Sequence, residues 1–197
     1  MRWSKVKKLV ESSFAESVKS RIQIYSTHYQ CSCGRGWITL DGKELVDLST
    51  MLSAMIYRCV YHETTNIPYP KHPAVLDNER TPNKLVEDGE FSRFDLHIAC
   101  WDYLHQSIKD SLESKNPLIK SLAVLSAKVG RGRLSEIAKQ DLHPLTRALL
   151  DFRVEAEREI RNKREIEIIN ANAEILNKQV LETLEYQADI WENHQTK

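Results

Sequence analysis

The sequence predicts an α+β fold: an N-terminal helix with a small antiparallel sheet of about three strands, then a mostly helical C-terminal region with a long final helix. Three observations predict it. Apolar residues recur at spacings of three and four near the start, alternate in the stretch that follows, and return to helical spacing through the second half. Asp41-Gly42 lies between two short apolar segments, "RGWITL" and "KELVDL", and supplies the two positive-φ residues that a two-residue hairpin turn requires. No proline or glycine follows Pro144, so nothing in the last quarter of the chain breaks a helix.

The elements follow in order. Residues 4 to 18 read as a helix with Ser4 as N-cap and Val6, Leu9, Val10, Phe14 and Val18 on one face. "RIQIYSTHY" alternates, with Ile22, Ile24 and Ser26 on one side and Gln23, Tyr25, Thr27 and Tyr29 on the other, and is rich in the β-branched and aromatic residues that suit a strand. In the hairpin, Trp37 and Thr39 share one face while Ile38 and Leu40 share the opposite one. From Ser49 onward Leu52, Met55, Ile56, Cys59 and Val60 fall on one helical stripe, capped by Ser49 or Thr50.

Residues 64 to 90 contain four of the six prolines and read as a loop or hinge, a place where partner surfaces concentrate. Ser92 and Asp95 make a capping-box pattern, and Phe94, Ile98, Trp101, Leu104, Ile108 and Leu112 are expected to face the core from the helix behind it. Asn116-Pro117 opens another helix, whose Leu118, Leu122, Leu125 and Val129 point inward until Gly130 stops it. Leu134, Ile137 and Ala138 suggest a short helix, and His143-Pro144 restarts the chain. The chain thus divides into 1–63 (helix, sheet and following helix), 64–90 (proline-rich loop or hinge), 91–142 (helical core) and 143–197 (a long helix or a helical pair).

Within the last segment Ile166, Ile169, Ala173, Leu176 and Val180 keep a 3-4-3-4 spacing, a heptad seam. The turn before it, "RNKREIE", is almost wholly charged, which is not the composition of a helix buried along its length. Two readings stay open: a continuous helix that pairs with something through the seam, or a break near Asn162 with both halves folded back.

Chemistry is sparse. Cys31, Cys33, Cys59 and His62 are zinc-type ligands, but Cys-x-Cys is not the usual structural-zinc spacing and Cys59 fits an apolar stripe, so thiols are expected and no metal. A nucleophile elbow, a metalloprotease motif and a phosphate loop are all missing, so no catalytic residue is nominated and no cofactor is expected. The 28 basic and 28 acidic side chains cancel, and the cluster around Arg131 and Arg133 lacks interleaved aromatics, so nucleic acid is not the expected partner; a solvated turn with Gly130 as helix C-cap accounts for that cluster. No segment is apolar enough for a membrane span or a signal peptide, and a cytoplasmic location is expected.

"MRWSKVKKLVE", "GRGWITLDGKE" and "NPLIKSLAVLSAKVGRGRL" together resemble a family of small uncharacterised bacterial cytosolic proteins with a Trp-Ser-Lys start, a Gly-Arg-x-Trp-Ile hairpin and a Pro-Leu-Ile helix ending in a Gly-basic turn. The resemblance implies no activity, cofactor or catalytic residue. The function expected is that of a non-catalytic interaction protein, an immunity-type or regulatory partner that binds another protein and self-associates through a coiled coil formed by its final helix. Arg35, Trp37, Arg131 and Arg133 are the candidate interaction residues. The alternative is a small enzyme or ligand-binding protein with its pocket between sheet and helices, lined by Arg35, Trp37 and the histidines of the 97 to 105 helix.

Overall fold

A computed structural model describes residues 2–29, 34–56 and 80–195, with side-chain surroundings for all of these except 54–56 and 184–195. The chain separates into two compact units, Met1–Ala156 and Glu157–Lys197. The expected α+β architecture is present, with its elements in the expected order.

Helix α1 spans Trp3–Ser12 and buries Val6 and Val10. It is shorter than the apolar spacing implies, and Ser4 is not its cap; Arg2 holds that position without a side-chain bond. The early stop has a local cause. The hydroxyls of Ser12 and Ser13 turn back onto the carbonyls of Leu9 (2.9 Å) and Val10 (2.6 Å), a competition that suits a helix end better than an interior. Phe14 and Val18 are buried all the same, because the chain there bridges Ser126 and the Ala15 N–H donates to Leu125 O at 2.9 Å.

Strands β1 (Ile22–His28), β2 (Gly34–Leu40) and β3 (Lys43–Ser49) form an antiparallel sheet in the order β1-β2-β3. Asp41 (φ 51°) and Gly42 (φ 77°) make the expected turn, and Arg21, just before β1, donates to Asp41 at 2.8 Å. Register places Ile24 against Ile38 and Ile38 against Val46, so the inner face carries Ile22, Ile24, Ile38, Val46 and Leu48, all buried. On the free edge of β1 the Glu11 carboxylate accepts the Ile24 N–H at 2.8 Å, which occupies a donor that would otherwise invite another strand. Helix α2, Thr50–Ile56, follows β3, and Leu52 of its expected stripe is exposed.

Helix α3, Arg93–His105, crosses the inner face at Gly36, where a Cβ would come within 2.6 Å of Leu96 Cδ2. The capping box is formed: Asp95 accepts from Ser92 N–H at 2.7 Å, and Ser92 Oγ accepts from Asp95 N–H at 3.3 Å. The expected buried face is wrong for most of this helix. Phe94, Ile98 and Trp101 are 47%, 42% and 43% exposed, while Leu96, Ala99, Cys100 and Tyr103 face the core. Apolar residues line both sides of α3, and the smaller set admits the closer approach to the sheet and to α1. Gln106 is extended and ends the helix, so Ile108–Glu113 is a separate helix α4, capped by Ser107, with Leu112 buried.

Helix α5, Pro117–Leu125, starts as expected on the Asn116 side chain, which accepts the Leu118 N–H at 2.9 Å. It ends five residues before Gly130. The buried Arg153 reaches in to donate to the carbonyls of Ser126 (2.9 Å), Val129 (3.1 Å) and Val124 (3.3 Å), a cation placed at a helix C-terminus where the dipole favours it. Gly130 is therefore not a C-cap but the N-cap of α6, Arg131–Ile137, and the two arginines sit in that helix's first turn.

Helix α7 runs Pro144–Gln195 as one element, so the break expected as one reading near Asn162 does not occur. Within the first unit it buries Leu145, Thr146, Leu149, Leu150, Arg153 and Ala156. Within the second, every side chain from 161 to 183 is exposed.

Candidate functional site

Of the four residues nominated from sequence, Arg35 and Trp37 come together and the other two stand apart. Arg35 and Trp37 lie on the outer face of β2, away from α3, because Gly36 and Ile38 take the inner positions. Cross-strand pairing sets Tyr25 against Trp37; their rings stack at 5.2 Å and 11°. Lys7 sits 3.8 Å over the Tyr25 ring and Arg35 4.7 Å over Trp37, so two cations cap the two ends of an aromatic pair. Arg35 is also held by Glu44 and by Asp47, the latter at 3.1 Å. That is the structural reason for an arginine between two glycines: β2 needs a long cation on its outer face, and the glycines on either side face the helix side, where Gly36 leaves room for Leu96. Tyr25, Lys7 and the two acids were missed from sequence, since strand register brings Tyr25 and the acids to β2 and the packing of α1 brings Lys7 over Tyr25.

Arg131 and Arg133 are exposed on α6, which is not among the main packing partners of the sheet. The expected pocket between sheet and helices is not built from its nominated residues. Arg35 and Trp37 face outward, whereas His97 Nε2 meets Ser26 Oγ at 2.8 Å on the inner face.

Three of the described histidines have structural partners. His97 stacks on Trp3 at 4.1 Å and 8°, and burial, with help from Arg93, pushes its pKa down to about 4. His105 stacks on Trp101 at 4.0 Å and bonds to the carbonyl of Trp101 at 2.7 Å. His143 bonds Glu90 through Nε2 at 2.8 Å, while its Nδ1 accepts the Leu145 N–H at 3.2 Å. A backbone N–H can only donate, so Nδ1 is occupied as an acceptor and the proton lies on Nε2. This imidazole caps the start of α7 and has no lone pair left for general-base work.

Glu90 is the most demanding group in the first unit, a buried carboxylate that takes both terminal nitrogens of Arg80 (2.7 and 2.8 Å), His143 and the Glu87 N–H (2.8 Å). Burial alone would raise its pKa. The hydrogen bonds from His143, Arg80 and Glu87 outweigh it and hold Glu90 at about 2. Cys100 goes the other way: burial, then the Glu11 charge, pushes its thiol well above the usual range, so it is a core residue rather than a nucleophile.

Among the described residues no group of three or more His, Cys, Asp and Glu side chains is placed to hold a metal ion, and Cys31, Cys33, Cys59 and His62 lie outside them. Among the same residues no helix is long and apolar enough to cross a membrane.

The motifs that carry the resemblance all fall within residues 2–154, the stretch over which a protein-family description matches, that of the SF0329 protein family. The chain belongs to the SF0329 protein family. No curated protein and no solved structure matches it. The family match ends two residues short of Ala156, where the first unit ends, and the second unit lies beyond the matched residues. Among the described residues, that second unit holds a run of exposed apolar side chains: Ile166, Ile169, Leu176 and Val180 are 50–64% exposed, with Ala173 between them.

Proposed function

We propose that this SF0329 family member is a non-catalytic interaction protein, bacterial and cytoplasmic, that binds another protein in an immunity-type or regulatory role and self-associates through its final helix. The observation that carries the reading is the seam on α7. Four large aliphatic side chains at heptad spacing stand at least half exposed, and leaving such a stripe in water forgoes burial worth about 25 cal/mol per Å². Three polar clusters among the described residues also favour a binding role, since each is closed on itself: Glu90 by Arg80 and His143, Arg35 by Glu44 and Asp47, Arg153 by three carbonyls.

Light scattering on the full chain and on a chain ending at Ala156 tests the reading. A multimer that becomes a monomer on shortening is expected. Equal masses for the two chains would sink the self-associating part. For the other partner, Leu176→Asp and Arg35→Ala/Trp37→Ala variants are compared as bait: a protein retained by the wild type and lost with one of them identifies the surface it uses, and one that ignores both surfaces overturns the assignment.

A further inference from the structure

Resting on the reading that the seam is an interaction surface, we infer that its occupant is a second copy of this chain running antiparallel, with the two-fold axis passing at Ala173. Placing Ile166, Ala173 and Val180 at the a positions of a heptad and Ile169, Leu176 and Thr183 at d leaves Asn170 and Asn177 at e and Asn172 and Gln179 at g. These flanking positions ordinarily carry the charges that select a partner of opposite sign. Here they are amides, which pair with themselves without repulsion, so the central part of the seam fits its own copy.

Charge along the helix then selects the direction. Residues 158 to 164 hold Arg158, Arg161, Lys163 and Arg164 against Glu159 alone, whereas 182 to 188 hold Glu182 and Glu185 and no basic residue. A parallel pair in register would lay the basic turn on its own copy and the acidic turn on its own copy. Turning one chain about Ala173 sets 158–164 beside 182–188 of its partner, basic against acidic at both ends. The apolar layers survive that turn. Ile166 lies level with Val180 of the other copy, Ile169 comes within about 1.5 Å of the level of Leu176, and the small Ala173 meets itself at the centre, where it lets the two backbones approach.

Cysteine pairing reads the direction out. The full chain carries Cys31, Cys33 and Cys59 as serine, and Ile166→Cys and Val180→Cys are introduced singly; Cys100 is buried and stays. Disulfides need Cα atoms within about 7 Å, and in the antiparallel pair a 166 thiol lies roughly 21 Å along the axis from its own counterpart. Under mild oxidation neither single variant should cross-link alone, and an equimolar mixture should give the 166–180 disulfide, identified by mass, at least about tenfold above either self-pair. Cross-linking of each variant with itself would overturn the antiparallel arrangement and leave the interaction reading standing. A chain that remains monomeric by light scattering at about 100 μM would overturn the second copy as occupant. Adding Leu176→Asp should abolish the mixed disulfide; its persistence would mark random collision and overturn the proposal as well.

Discussion

The two parts of α7 have similar apolar periodicity and opposite fates. From Leu145 to Ala156 one side of the helix, Leu145, Leu149, Leu150 and Ala156, is buried within the first unit, and the charged residue among them, Arg153, is buried with them because three carbonyls receive it. From Ile166 to Val180 the aliphatic residues are of similar size, yet they are exposed. The difference teaches that a helical stripe specifies a need for cover and says nothing about whether the same chain provides it. In the first unit the chain does; in the second the described side chains of the stripe are exposed.

The sharpest way to break the comparison is Arg153→Ala. It strips three buried carbonyls of a donor and leaves a cavity, and a loss of about 3–5 kcal/mol in urea unfolding is expected. A loss under about 1 kcal/mol would mean water replaces the guanidinium easily. Next in size is the matched pair Leu149→Ala and Leu176→Ala. The first, fully packed, should cost about 2–5 kcal/mol at any concentration. The second should leave the dilute first unit within about 0.5 kcal/mol of wild type and weaken association instead, which makes its effect concentration-dependent.

Third is Glu90→Gln, expected to cost about 1–3 kcal/mol at pH 7 because Arg80 and His143 lose a charged acceptor. The sign of the pH effect follows from the depressed pKa. Between its ordinary 4.5 and about 2 the unfolded chain binds the proton more readily, so Glu90's contribution is complete above 4.5 and is lost as pH falls toward 2. His97 adds an earlier window. Its folded pKa near 4 lies below the ordinary 6.5, so stability declines as pH drops from 6.5 to 4 and the unfolded imidazole charges first. Thermal melts from pH 7 to pH 2 should show both slopes, the lower one flattened in Glu90→Gln and the upper one in His97→Phe. The smallest effect belongs to Phe94→Ser with Ile98→Ser on the outer side of α3, within about 0.5 kcal/mol per site, against 2–5 kcal/mol for Leu96→Ala directly behind them.

α3 also shows where sequence reasoning stops. A capping box at Ser92 and Asp95 is written in four consecutive residues and formed as read. The inward face departs from the spacing-based expectation, because Leu96, Ala99, Cys100 and Tyr103 keep helical spacing as well as Phe94, Ile98 and Trp101 do. Only the sheet beneath decides: Gly36 leaves room for Leu96, and a close helix-on-sheet contact selects the side with the smaller residues. At Gly130 the same kind of error arises. A glycine after an apolar helical run resembles a stop, but α5 ends earlier, at a place chosen by the Phe14 bridge and by Arg153 from 27 residues downstream of Ser126.

The candidate surface divides along the same line. Trp37 and Arg35 stand out in sequence as a bulky aromatic and a cation in a short hairpin, and both are on the outer face as alternation requires. Tyr25 and Lys7, which complete the stack, lie 12 and 30 residues from Trp37, and nothing local ties them to it.

What the sequence by itself determined is whatever a few neighbouring residues can settle: the period of each element, the Asp41-Gly42 turn, the caps at Ser92 and Asn116, the restart at Pro144 and the heptad seam. These depend on backbone dihedrals and on hydrogen bonds that span four residues or fewer. What only the tertiary structure decided is which apolar side turns inward, where α1 and α5 end, and that Glu90 closes on Arg80 and His143. Each of those is a competition between surfaces distant in the chain, won by fit and by satisfied polar groups, and one-dimensional pattern carries neither.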